Sequence, residues 1–144
     1  LTSDNNSVLS CSNSDNANVI HNNFNFIGTT IQTVDIASNH AFENQGIRFN
    51  ITSGAYIQLT NRDFELGKNS SLNVKSGGTL HFGFDGTTAL NVSVSGPQTG
   101  TKFTSEQESK LIITSPDGIN TSGNIGNVLT VPSNRTFNQT ATFC

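Results

Sequence analysis

Apolar and polar side chains alternate along most of this chain, at the two-residue period of a strand that buries one face. Ile47, Phe49 and Ile51 fall on one side of a stretch whose other side carries Arg48 and Asn50. The alternation returns at residues 55–59, 64–66, 72–74, 80–82, 90–94 and 111–113. Between these runs lie Ser53-Gly54, Gly67-Lys68-Asn69, Ser76-Gly77-Gly78 and Asp85-Gly86, residues that favour turns. No window of a dozen residues sustains the i, i+3, i+4, i+7 pattern of an amphipathic helix. Short strands and turns are the prediction throughout.

The spacing of the strands says more. Successive apolar pairs begin at Ile57, Phe64, Leu72 and Leu80, at near-equal intervals. Three strands therefore occupy about 23 residues, a period in the range that marks a repeat architecture. Val34, Ile57, Leu80 and Phe103 share that period. Ile36, Leu59 and Phe82 form a second series, and Phe49 with Leu72 and Ile51 with Val74 form two shorter ones. The expectation is an all-β, right-handed parallel β-solenoid with about 23 residues per three-strand coil and polar end caps. The alternative is an antiparallel β-sandwich, which also has short alternating strands. In the solenoid, Ile57, Leu80 and Phe103 stack in one inward ladder beside Val34. Asn73 and His81 point outward, where serine in their place costs well under about 1 kcal/mol.

Residues 1–144 read as one β domain. Residues 1–25, rich in Asn, form an N-terminal cap, and 26–113 form the coils. Residues 114–144 lose the period, carry Pro116 and Pro132, and form a tail or cap that folds back along the rod.

Composition narrows the function. The chain is 33% apolar and 12% charged, and 20 Asn, 17 Ser and 18 Thr fill the difference. A net charge of −3 and ten Phe argue against disorder. Seven scattered Lys and Arg give no nucleic-acid footprint, and no apolar run is long enough to span a membrane. The absence of Met and Trp and the abundance of Asn, Ser and Thr give the chain an extracellular character. In that setting Cys11 and Cys144 are expected to form a disulfide tying the two ends together. Two buried reduced thiols are the alternative. Starting at Leu1 with no charged-then-apolar leader, the sequence reads as a mature chain or an excised domain.

The stretch from Ser53 to Gly96, SGAYIQLTNRDFELGKNSSLNVKSGGTLHFGFDGTTALNVSVSG, resembles the β-helical region of microbial cell-surface adhesins. It is most similar to fungal cell-wall adhesins of the hyphally regulated type, and also to bacterial autotransporter passenger domains. Passenger domains usually lack cysteine, so the Cys11 and Cys144 pair favours the fungal kind. Neither family brings a catalytic motif onto numbered positions here.

Candidate chemistry is sparse. Asp63 and Glu65 lie two apart, on the solvent side if Phe64 and Leu66 face inward. His40, Asp63 and Asp85 fall nearly in register at the repeat period, with His81 nearby. Two such carboxylates are what a glycoside hydrolase needs; a solvated face is the simpler reading. His21, His40 and His81 have no metal-ligand spacing, and no cofactor motif occurs. Sequons stand at Asn5, Asn50, Asn69, Asn91, Asn120, Asn134 and Asn138, a number this composition produces unaided; in a secreted chain Asn50, Asn69, Asn91, Asn120, Asn134 and Asn138 are the candidates for N-glycosylation. Thr residues do not repeat as Thr-x-Thr at one position, which disfavours an ice-binding face.

The expected function is a secreted or cell-surface, non-enzymatic adhesin or structural module that binds glycan or a host or neighbour-cell protein. A filament subunit assembling by strand complementation is the first alternative. A polysaccharide-degrading β-helix enzyme using Asp63 and Glu65 is the second.

Overall fold

The computed structural model describes residues 8–16, 19–35, 46–60, 63–83, 94–96, 100–119, 126–138, 140 and 142–143; side chains are described from Asn23 onward, Ser95 and Phe143 excepted. The strands among them are β1 (Val8–Asn16), β2 (Val19–Ile27), β3 (Ile31–Asp35), β4 (Ile47–Ile51), β5 (Tyr56–Thr60), β6 (Phe64–Glu65) and β7 (Ser71–Val74). There follow β8 (Thr79–Phe82), β9 (Val94–Gly96), β10 (Lys102–Ser105), β11 (Lys110–Ile112), β12 (Val128–Thr130), β13 (Arg135–Phe137) and β14 (Thr142–Phe143). Among the described residues no helix is long and apolar enough to cross a membrane.

Three sheets hold these strands. Sheet 1 has the order β1-β2-β4-β7-β10-β13, sheet 2 has β14-β11-β8-β5-β3, and sheet 3 has β12-β9-β6. β1 pairs with β2 antiparallel. Every other pairing among the described residues is parallel. The chain is therefore all-β with parallel sheets, and the antiparallel sandwich does not describe it. From β4 onward the chain enters sheet 1, then sheet 2, then sheet 3, and returns to sheet 1 one strand further on.

The register confirms part of the expected ladders and corrects the rest. Phe49 pairs with Leu72, Ile51 with Val74, Ile57 with Leu80 and Leu59 with Phe82, each pair separated by the period read from the sequence. Elsewhere the step is longer. It grows slightly from Asn22 to its partner Ile47, and by much more from Ser71 to Lys102 and from Phe103 to Arg135. Phe103 accordingly lies on Leu72 in sheet 1, and Leu80 stacks instead on Leu111 in sheet 2. Val34 meets Leu59 rather than Ile57, whose partner is Gln32. The physical reason is loop length. The connection from β5 to β6 is short, whereas that from β8 to β9 is more than three times as long. Lengthening a connection costs little closure entropy, so strand register survives where chain spacing does not.

Beyond Ile113 the described strands keep the order of the earlier ones. β12, β13 and β14 continue the three sheets in parallel register. The expected Cys11–Cys144 disulfide falls on Cys144 and on the Cys11 side chain, which lie outside the described residues. Cys11 belongs to β1, at one edge of sheet 1, and Cys144 follows Phe143 of β14, the terminal strand of sheet 2.

The core lies between the sheets. Phe49, Ile51, Leu72, Val74 and Phe103 from sheet 1 meet Ile57, Leu59, Leu80, Phe82 and Leu111 from sheet 2, all buried. Phe64, Val94 and Val128 close the third side. Phe24 stacks on Phe49 with ring centroids 5.5 Å apart, and Phe64 meets the same ring edge-on at 4.9 Å. The turns between sheets 1 and 2 also stack, with Gly54 donating its N–H to the Gly77 carbonyl and Gly77 to that of Glu108. All three sit at positive φ, 79°, 74° and 58°, so Glu108 occupies a left-handed position usually given to glycine.

Candidate functional site

Strand alternation that sends Phe49, Ile51, Leu72 and Val74 inward sends their neighbours outward, and the parallel register aligns those neighbours across sheet 1. Two outward rows result. One runs Asn23, Arg48, Ser71, Lys102; the other runs Asn25, Asn50, Asn73, Thr104, Thr136. Lys75, Glu106 and Asn138 continue the face just beyond β7, β10 and β13.

The second row is a ladder of amides. Asn50 donates through Nδ2 to Oδ1 of Asn25 at 2.9 Å, and Asn73 donates to Oδ1 of Asn50 at the same distance. Asn73 Nδ2 also donates to Ser71 Oγ at 3.1 Å, linking the two rows. Parallel in-register pairing makes this head-to-tail chain feasible, because each amide sits one strand step from the next.

Beside the ladder lies an open groove of about 380 Å³, bordered by Asn23, Arg48, Asn50, Ser71, Asn73, Lys75 and Lys102. Three of the chain's seven Lys and Arg line it, although the protein as a whole carries a net charge of −3. Lys75 is neutralised by Glu106, whose Oε1 lies 2.6 Å from Nζ and whose Oε2 accepts from the Ser76 N–H at 3.3 Å. Arg48 and Lys102 flank Ser71 on either side, and their side chains have no partner among the described residues. Arg48 is half-buried and Lys102 exposed.

The positions singled out from sequence are scattered. Phe64 and Leu66 are buried and Asp63 and Glu65 half-buried beside them, at sheet 3. His40 and Asp85 lie outside the described residues. His81 belongs to sheet 2, with Nδ1 3.0 Å from the Tyr56 hydroxyl and its ring edge-on to the tyrosine. Burial pushes its pKa below the ordinary histidine value. His81 and Asn73 are thus half-buried, bonded groups rather than free outward ones. Among the described residues no three of His, Cys, Asp and Glu gather as metal ligands.

Of the sequons, Asn5, Asn91 and Asn120 lie outside the described residues. Asn50 is committed to the ladder on the groove wall. Asn69 is exposed at the tip of a turn with φ 58°. Asn134 is half-buried in the short 3-10 turn Pro132–Asn134. Asn138 is exposed, and its Oδ1 accepts from the backbone N–H and hydroxyl of Thr140 at 3.1 and 2.9 Å.

Sequence reading placed Arg48 and Asn50 on an outer face but missed that they pair with Asn23 and Asn25 and border one groove with Lys102. The signal was hidden because the step from Ser71 to its partner Lys102 runs well past the repeat period. Comparison with protein-family models, curated proteins and solved structures finds no match to this chain.

Proposed function

We propose that the chain is a secreted, non-enzymatic module of a cell-surface adhesin or structural protein that binds glycan. In this reading its three parallel sheets are the faces of a right-handed β-solenoid, and the β1–β2 pair forms a polar cap. The observation that carries the reading is the outward face of sheet 1. Its aligned rows of Asn, Ser, Thr, Arg and Lys offer hydrogen bonds at a regular step, next to a groove of about 380 Å³. Such a surface matches the regularly spaced hydroxyl, amide and acidic groups of a saccharide chain. A glycan and surface-protein binding array on the purified chain tests it. Retention of saccharides that is lost on Asn50→Ala supports it, and silence across the glycans rejects it.

A second reading is a filament subunit. The supporting observation is that β1 and β13–β14 lie at opposite edges of the strand order, carrying Cys11 and the neighbour of Cys144 with them. A bridge between copies then joins end to end, where edge strands are open to pairing. A ladder of covalent multimers on a non-reducing gel, with concentration-dependent sedimentation, supports this reading. A monomer under both conditions rejects it.

A further inference from the structure

The groove of sheet 1 carries a charge pattern as well as a shape. Arg48 and Lys102 both pair with Ser71, from opposite sides, so their backbone positions are two strand steps apart. Two parallel steps come to about 10 Å. The third cation lining the groove, Lys75, is held by Glu106, which leaves two cationic points on a line with a neutral hydroxyl between them. That spacing is close to the repeat of a disaccharide in an extended polysaccharide. A chain lying along the row would present successive sugars to successive strands, and alternate sugars to Arg48 and Lys102. The asparagine row alongside supplies neutral polar contacts to ring hydroxyls and acetamido groups.

We infer that the Arg48–Ser71–Lys102 row binds an acidic polysaccharide whose carboxylate or sulfate recurs on every second sugar. The inference rests on the glycan-binding reading and adds the ligand class. Arg48 offers planar, paired donors that match a carboxylate or sulfate, and its partial burial strengthens a charge-assisted bond. Lys102 contributes an exposed point charge at the other end.

Isothermal titration of the full chain with a hyaluronan octasaccharide, which carries a carboxylate on alternate sugars, tests the assignment. An uncharged N-acetylglucosamine hexamer is the comparison. The expected result is binding of the acidic probe about tenfold tighter than the neutral one, with about a tenfold loss in Arg48→Gln and in Lys102→Gln. Raising ionic strength from about 0.05 to about 0.5 M weakens the acidic probe selectively. Lys110→Gln, on sheet 2, leaves it unchanged, and thermal melts verify that each variant is folded. Equal affinity for both probes, untouched by either groove substitution, overturns the charge assignment and leaves the glycan reading standing. Binding of neither probe overturns it too, and a blank glycan array then removes the broader reading separately.

Discussion

Asn73 donates its side-chain amide to Oδ1 of Asn50 at 2.9 Å, across two strands that pair directly at these residues. Asn50 donates in turn to Asn25, so each asparagine stands in a hydrogen-bonded column rather than in free solvent. Asn50 is the middle member and uses both ends of its amide. Asn50→Ala therefore removes two hydrogen bonds from a half-buried row and is expected to cost about 1–2 kcal/mol. Urea denaturation measures it. A cost within about 0.3 kcal/mol of wild type would mean that water replaces the column without loss.

Leu80 is fully buried between Ile57 and Leu111 in sheet 2. Leu80→Ala is expected to cost about 3 kcal/mol through lost burial and the cavity left behind. Leu80→Asp is expected to prevent folding, since nothing in this apolar column pairs with a carboxylate. Because Leu111 is its direct neighbour, the double variant Leu80→Ala with Leu111→Ala should depart from additivity by more than about 0.5 kcal/mol. Strict additivity would contradict the register.

Two glycines separate steric from conformational causes. A Cβ at Gly83 would lie 2.2 Å from the Leu59 carbonyl oxygen, a backbone atom that Gly83 also bonds through its N–H at 2.9 Å. Gly83→Ala is expected to cost about 3 kcal/mol, because strand β5 itself must move. Gly118 has φ +70° but nothing within 4 Å of a new Cβ. Gly118→Ala should cost only the left-handed backbone penalty, about 1 kcal/mol. Melting both variants decides it; equal losses would mean that the close approach at Gly83 is not what constrains it.

His81 links stability to pH. Burial lowers its folded-state pKa below the unfolded value, so the folded chain binds the proton less readily than the unfolded chain. Stability is full above the unfolded pKa of about 6.5 and declines as pH falls from there toward the folded value. Protonation also puts a proton on Nδ1, which then no longer accepts from the Tyr56 hydroxyl 3.0 Å away. The difference in unfolding free energy between wild type and His81→Gln should therefore shift against wild type between about pH 7.5 and about pH 5. A pH-independent difference would show that His81 titrates alike in both states.

The inward and outward faces of this protein are written locally. Ile47, Phe49 and Ile51, or Leu80 and Phe82, need only the two-residue pleat of an extended backbone to declare which side is buried, and the structure buries each of them. The turn positions Gly54 and Gly77 are equally local, since positive φ admits few residues other than glycine. Neighbours across the sheets are a different matter. That Phe103 lies on Leu72, that Leu80 meets Leu111, and that Lys102 completes a row with Ser71 and Arg48 all depend on how much chain is spent between strands. Connections lengthen at small entropic cost and are indifferent to period. Hydrogen bonding between parallel backbones restores the alignment each time, so the polar groove exists only once the strands have paired.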